Sequence, residues 1–207
     1  MKKILCFGDS NTWGLIPGTD SRYPADTRWT GILGERLRGK AEVIEDGVCG
    51  RTTVYEDEFR PGRKGLDSIK EALSSHPDVD IVVLMLGTND CKSFYALSAE
   101  QIAEGLRACI EEFRNLKKDI EILLVSPIHL GNDVWKEGYD TEFNENSVYV
   151  SKRLEAEYRK LSAEYSTLFL AASDHAVVSH KDEEHMEEEG HRALADAVIS
   201  VLEPLLD

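Results

Sequence analysis

Lys3-Ile4-Leu5-Cys6-Phe7-Gly8-Asp9-Ser10-Asn11 is the stretch that decides the fold of this chain. An apolar run of strand length stops abruptly at four residues that favour turns. A parallel strand in an α/β sheet ends in this way when it delivers a polar side chain to the carboxyl edge, where such folds bind their ligands. Ser10 is therefore the first residue expected to take part in chemistry.

Further apolar segments of strand length alternate with segments of helical spacing along the rest of the chain. Strands are predicted at residues 3–7, 42–45, 81–86, 121–126 and 167–170. Helices are predicted around residues 29–37, 66–73, 102–113, 150–161 and 194–202, with a capping-box start at Ser98 and Gln101. Continuous apolar strands are typical of a parallel sheet covered on both faces. The sequence thus predicts an α/β fold, a single-domain doubly wound sandwich over residues 1–207 with a five-stranded parallel sheet.

The composition excludes several classes of partner. A net charge of −15 opposes binding to nucleic acid, which needs a basic face, and to anionic membranes. Cys6, Cys49, Cys91 and Cys109 show no disulfide or metal-ligand spacing, so reduced thiols are expected. The two lysines at the start precede only a short apolar run, which favours a cytoplasmic protein.

Three predicted strand ends have the same polar, glycine-containing character, at residues 8–11, 46–53 and 87–90. Each of them alone is also explained as a turn followed by a helix cap. Because the three ends meet at one edge of the sheet, they can also act together in acyl transfer. Ser10 would then be the nucleophile, and the N–H groups of Ser10 and Gly50 with the side-chain amide of Asn89 would form an oxyanion hole.

A serine nucleophile needs a base, and His185 has the most suitable surroundings among the histidines. Asp182 lies three residues earlier, a spacing that lets its carboxylate accept a hydrogen bond from Nδ1 while Nε2 faces a hydroxyl. Two other interpretations of this segment stay open. Residues 182–189 could be a solvated acidic run that precedes the last helix. A zinc site could use residues drawn from Asp174, His175, His180, Asp182 and His185, although the tight spacing of zinc motifs is missing.

With these residues in view, the chain resembles the SGNH hydrolases, the superfamily of GDSL-type esterases and lipases. Residues 8–11 look like the first of the four family blocks, Gly50 stands at the place of the second, residues 87–90 match the third, and Asp182 with His185 the fourth. The four blocks occur in the family's order and span nearly the whole chain. The resemblance implies a flavodoxin-like sheet and a Ser10–His185–Asp182 triad without metal or cofactor.

Short segments of the sequence are similar to those of the small bacterial arylesterase and acyltransferase branch of that superfamily. They occur at residues 4–10, 12–14, 28–31, 43–45, 51–53 and 85–90. The resemblance implies a homo-oligomer and some capacity to transfer acyl groups to alcohols. The chain departs from the branch at Asn11, where many relatives have leucine, and at Glu183 and Glu184, which replace a small or apolar pair.

The leading hypothesis is a serine-type carboxylic-ester hydrolase that acts on small-molecule esters of short acyl groups, with acetyl as the first choice. A carbohydrate O-deacetylase of the same fold, a non-catalytic binding module and a Mg²⁺-dependent phosphoryl-transfer enzyme built on Asp9 are the alternatives. The predicted substrate pocket is lined by Asn11, Trp13, Leu15, Trp135 and Phe143. Crowding of carboxylates around His185 predicts an alkaline activity optimum.

Overall fold

The computed structural model describes residues 1–206 and has an all-parallel sheet at its centre. The strands are β1 (Lys2–Gly8), β2 (Ala41–Gly47), β3 (Ile81–Met85), β4 (Glu121–Ser126) and β5 (Leu168–Ala171), and they lie in the order β2-β1-β3-β4-β5. The helices are α1 (Ser10–Trp13), α2 (Trp29–Arg36), α3 (Gly65–Ser75), α4 (Ala99–Leu116), α5 (Glu145–Tyr165) and α6 (Glu188–Leu202). The predicted α/β fold with a five-stranded parallel sheet is confirmed.

Both faces of the sheet are covered, which explains why the strands are apolar at consecutive positions. Leu5 and Phe7 of β1 belong to a hydrophobic layer with α3, α4 and α5, whereas Ile4 and Cys6 belong to the layer with α2 and α6. Side chains alternate between the two faces of a strand, so a strand buried on both sides needs an unbroken apolar run. The result is the predicted doubly wound arrangement.

The register of the central strands brings three chain segments to one level at the carboxyl edge. Gly8 at the end of β1 lies opposite Gly47 of β2 and Met85 of β3. The approach between β2 and α1 requires glycine at position 47, because a Cβ there would come 2.2 Å from the backbone nitrogen of Trp13. The turns that follow these three strands are therefore neighbours.

Capping groups in the sequence explain where the two longest helices begin. The Ser98 hydroxyl accepts a hydrogen bond from the Gln101 N–H, and the Gln101 side chain accepts one from the Ser98 N–H, as predicted. Asn144 and Ser147 form the equivalent box at the start of α5. None of the helices within residues 1–206 has the length and the apolar character of a membrane span.

Candidate active site

The structure brings Ser10, His185 and Asp182 into one hydrogen-bonded line. Ser10 is the first residue of α1, and its Oγ lies 2.8 Å from His185 Nε2. The other ring nitrogen, Nδ1, lies 2.8 Å from Asp182 Oδ2. Because a carboxylate only accepts hydrogen bonds, Nδ1 carries a hydrogen and Nε2 of the neutral ring presents its lone pair to the serine hydroxyl.

The turn that carries Asp182 and His185 is held by its own backbone. Asp182 Oδ1 accepts hydrogen bonds from the N–H groups of Glu184 and His185, both at 3.0 Å. These two contacts fix the position of the Asp182 carboxylate. The carboxylate can therefore hold the imidazole ring in one orientation.

Asn11 clamps this turn to the turn that carries Ser10. Its Oδ1 accepts the Met186 N–H at 3.1 Å, and its Nδ2 donates to the Glu184 carbonyl at 3.3 Å. The sequence predicts a substrate-pocket residue here, whereas both polar atoms of this buried side chain are used to join the two turns. The signal in the sequence is an amide side chain, able to donate and accept at once, beside a predicted nucleophile.

Negative groups surround the buried imidazole from three directions. Burial by itself lowers the pKa of His185, but the charges of Glu184, Asp182 and Asp9 outweigh it and raise that pKa to about 9. Asp182 shows the reciprocal effect: burial opposes its ionised form, but the His185 hydrogen bond and charge prevail and lower its pKa. The ring is thus held close to its protonated state at neutral pH.

Glu183 and Glu184, which are adjacent in sequence, point to different places. Glu183 Oε1 lies 2.8 Å from His180 Nδ1, and its backbone carbonyl accepts the Gly131 N–H at 2.8 Å. Glu184 Oε1 instead lies 3.9 Å from His185 Nε2. Burial raises the pKa of the Glu184 carboxyl. Of the two acidic residues, Glu184 is the one that faces the serine–histidine contact.

Three hydrogen-bond donors suited to an oxyanion lie at the same edge of the sheet. Within residues 1–206 the N–H groups of Ser10 and Gly50 donate no hydrogen bond. Gly50 has a φ of +81°, a conformation that glycine adopts without strain. Asn89 Nδ2 donates one hydrogen to the Arg51 carbonyl at 3.1 Å, and its second hydrogen remains for another acceptor.

Arg51 holds the turn that contains Gly50. Its guanidinium donates to the Gly8 carbonyl at 3.1 Å and to Asp46 Oδ1 at 2.7 Å, and it lies 4.0 Å from the centre of the Phe7 ring. This buried cation therefore ties the ends of β1 and β2 to each other. Sequence reasoning assigned no role to Arg51, although a single arginine directly after a predicted oxyanion glycine is the signal that could have found it.

Two buried aspartates beside the site accept hydrogen bonds from backbone N–H groups. Asp9 Oδ1 accepts the Asn11 N–H at 3.0 Å and caps α1, and burial raises the pKa of Asp9 to about 6. Asp90 accepts the Thr53 N–H at 3.0 Å, joining the turn after β3 to the turn after β2, and burial raises its pKa to about 6 as well. Both carboxylates stabilise the turns that carry Ser10, Gly50 and Asn89.

The apolar residues of the predicted substrate pocket are mostly used in packing. Phe143 is only 2% exposed and lies in the hydrophobic layer with α4 and α5. Trp13 lies 5.5 Å from the Arg22 guanidinium, and Leu15 forms a β-bridge with Arg22. Trp135 donates its indole N–H to a carbonyl of its own loop at 3.1 Å. The loop aromatics fold back on the loops that carry them.

The acidic and histidine residues of the alternative zinc set do not form a metal centre in the part of the chain that the structure describes. No group of three His, Cys, Asp or Glu side chains within residues 1–206 is arranged to hold a metal ion. His180 pairs with Glu183, and His185 with Asp182 and Ser10.

The fold is shared with solved structures of esterases. Est24, a carbohydrate acetylesterase from Sinorhizobium meliloti, is 32% identical, with a TM-score of 0.90 over 99% of this chain and 100% of that one. The inhibitor-bound aryl esterase of M. smegmatis is 30% identical, with a TM-score of 0.88 over 98% of this chain and 100% of that one.

A curated relative and a family model match the sequence itself. The uncharacterized lipoprotein YqeF of Bacillus subtilis is 32% identical over an alignment 136 residues long that covers 62% of this chain, and the chain spans about half the length of that relative. The model of the GDSL-like lipase/acylhydrolase family matches residues 6–193. The predicted resemblance and the predicted class, ester hydrolases, are therefore confirmed at the level of the family. This chain belongs to the GDSL-like lipase/acylhydrolase family.

Proposed function

We propose that the protein hydrolyses carboxylic esters of short acyl groups, acetyl above all, with Ser10 as nucleophile, His185 as general base and Asp182 as its partner. The observation that carries the proposal is the line of hydrogen bonds from Ser10 Oγ through His185 to Asp182, with 2.8 Å at each step. Such a line of nucleophile, base and orienting carboxylate activates serine in acyl transfer.

In the first half of the reaction, His185 Nε2 takes the proton of Ser10 as Oγ bonds to the ester carbonyl carbon. The negative charge that develops on the carbonyl oxygen is stabilised by the N–H groups of Ser10 and Gly50 and by the free Asn89 hydrogen. The imidazolium then gives its proton to the alcohol oxygen as the carbon–oxygen bond breaks. The products are a free alcohol and an acyl group on Ser10.

In the second half, water gives a proton to His185 Nε2 as its oxygen bonds to the acyl carbon. The bond from that carbon to Ser10 Oγ then breaks, and the imidazolium returns its proton to Oγ, which releases the acid and restores Ser10. An alcohol in place of water would give a new ester by the same proton transfers, so acyl transfer to alcohols belongs to this proposal. Similarity to an aryl esterase and a carbohydrate acetylesterase supports ester chemistry and the choice of acetyl.

The proposal is tested with a chromogenic acetate ester in the presence of EDTA, together with labelling by an organophosphate. Ser10→Ala should abolish turnover and labelling, because no other hydroxyl is bonded to His185 within the described residues. Ser126→Ala is the matched control, since Ser126 ends β4 of the same sheet and its buried hydroxyl has no histidine partner. Labelling that survives in Ser10→Ala would contradict the assignment.

A further inference from the structure

Glu184 places an acidic side chain next to the atom that must protonate the departing alcohol. Glu184 Oε1 lies 3.9 Å from His185 Nε2, and Ser10 Oγ lies 2.8 Å from the same nitrogen. The serine hydroxyl and the carboxyl group therefore flank one ring nitrogen.

The hydrogen-bonding capacity of this carboxyl group is unused. No donor among residues 1–206 bonds to either side-chain oxygen of Glu184, although its side chain is only 10% exposed. Its backbone, in contrast, is fixed by Asp182 on the N–H and by Asn11 on the carbonyl. An acceptor without a partner whose backbone is held rigidly is preorganised to bind a ligand.

The reaction determines which part of the substrate comes near Glu184. The leaving oxygen must come within hydrogen-bond distance of His185 Nε2 in order to receive its proton. Two oxygens on adjacent carbons are about as far apart as two hydrogen-bonded oxygens, roughly 2.8 Å. A hydroxyl on the carbon adjacent to the one that bears the ester oxygen can therefore reach a carboxyl group that lies 3.9 Å from Nε2.

We propose that Glu184 is a specificity-determining residue that accepts a hydrogen bond from a free hydroxyl adjacent to the ester oxygen. The preferred substrates are then monoacetylated vicinal diols, such as partly acetylated sugars. This inference rests on the ester hydrolase proposed above and names the alcohol part of its substrate.

The burial of Glu184 favours a neutral hydroxyl over a cationic group. Lys92 contributes positive charge near this carboxyl group, but Asp140 offsets it with negative charge, and Lys92 is itself paired with Glu142 at 2.6 Å. Burial also raises the pKa of the Glu184 carboxyl, which weakens its attraction for cations. A hydroxyl bonds to a carboxyl group in either protonation state.

The test compares 2-hydroxyethyl acetate with 2-methoxyethyl acetate, in which a methyl group replaces the hydroxyl hydrogen and so removes the donor. The wild-type protein should prefer the hydroxy ester in kcat/KM by roughly tenfold, the range expected for a hydrogen bond to a charged group. Glu184→Leu should reduce this ratio to about one, and Glu184→Gln, which keeps an oxygen acceptor in the same volume, should retain part of it. Glu189→Leu is the matched control, because it removes an exposed carboxylate from the same acidic segment and should keep the wild-type ratio.

The ratio of two esters within one variant cancels any effect of the substitution on Ser10 or His185. An unchanged ratio in Glu184→Leu, or no preference in the wild-type protein, would overturn the inference while ester hydrolysis itself stands. A Glu184-dependent preference for acetylcholine over its neutral analogue 3,3-dimethylbutyl acetate would also overturn it, in favour of a cationic alcohol. If the wild-type protein hydrolysed neither ester nor the chromogenic acetate, the proposed function itself would be contradicted.

Discussion

The charge state of His185 depends on which of two adjacent glutamates faces it. Glu184 lies beside Nε2, whereas Glu183 turns to His180 and the chain around Gly131. The sequence alone treats the two as equivalent, and the structure distinguishes them: Glu183 has a φ of +60°, and its side chain turns away from the imidazole. The carboxylate that raises the pKa of His185 is therefore that of Glu184.

Glu184→Gln should move the rising limb of the pH–rate profile toward lower pH. His185 acts as a base only when neutral, so activity rises with pH through its pKa of about 9, and removal of the Glu184 charge lowers that pKa. Phenyl acetate is the substrate, since it has no hydroxyl that Glu184 could bind. The measurement is kcat/KM against pH, and Glu183→Gln should leave the limb in place. A limb that moves equally in both variants would contradict the geometry.

Asn89→Ala should lower kcat by roughly 10²–10³ with a smaller effect on KM, because the oxyanion exists in the transition state and not in the bound ester. Steady-state kinetics with an acetate ester measures the two constants separately. The variant also loses the bond from Asn89 to the Arg51 carbonyl, so its free energy of unfolding is measured in parallel. A change confined to KM would mean that Asn89 positions the substrate.

At the scale of elements, the site depends on the junction between α1 and the turn that precedes α6. Asn11 on one side holds the backbone of Glu184 and Met186 on the other. The elements come from opposite ends of the chain, and nothing in the periodicity of either segment indicates that they touch. The junction therefore has to be read from the structure.

Asn11→Ala should destabilise the protein and slow catalysis together. The buried Met186 N–H loses its acceptor, which costs about 1–3 kcal/mol in the free energy of unfolding, and the His185 turn loses its anchor. Asn11→Asp keeps an acceptor for Met186 but sets a buried carboxylate against the Glu184 carbonyl, so it should be destabilised at neutral pH and recover in part when the carboxyl group is protonated. Urea unfolding and kcat on one ester are the measurements. Full activity in Asn11→Ala would show that the turn holds its position unaided.

The strands and the polar residues at their carboxyl ends were predictable from the sequence, whereas the packing of the loops was not. Continuous apolar runs predict β1, β3 and β4 closely, and turn residues at their ends place Ser10 and Asn89 at one edge. The helix α5 begins at Glu145, before the predicted apolar pattern, because the Asn144–Ser147 cap is polar. Aromatic residues in a long loop, such as Phe143 and Trp135, suggest a binding surface in the sequence. Which of them turn inward depends on tertiary contacts that the sequence does not show.

The whole molecule carries a net charge of −15 and yet buries a neutral histidine between two helices. His191 of α6 accepts the N–H of Trp29, the first residue of α2, on its Nδ1 at 3.3 Å. Burial lowers the pKa of His191 to about 4. Protonation of His191 removes the lone pair that accepts the Trp29 N–H, so the hydrogen bond between α2 and α6 is lost at low pH.

The free energy of unfolding should therefore fall as the pH decreases from about 6.5 to about 4. The upper limit is the ordinary pKa of histidine in an unfolded chain, and the lower limit is the pKa of His191 in the folded protein. Between these two pH values His191 is protonated in the unfolded chain but not in the folded protein. By the lower limit, His191 has reduced the free energy of unfolding by about 3 kcal/mol. His191→Asn keeps an oxygen acceptor for Trp29 and does not titrate, so its stability should depend less on pH. Urea unfolding at pH 7, 6 and 5 compares the slopes, and parallel slopes would contradict the role of His191.

The contact between Ser10 and His185 joins residues 175 positions apart, and this has a consequence for how the protein is made. Ribosomal synthesis delivers the proposed nucleophile and oxyanion donors first, and the proposed base and its aspartate late. A nascent chain released from the ribosome before Asp182 would hold a serine that nothing activates. On the proposed mechanism, the serine gains its histidine partner only when the turn before α6 has been made and has packed against α1.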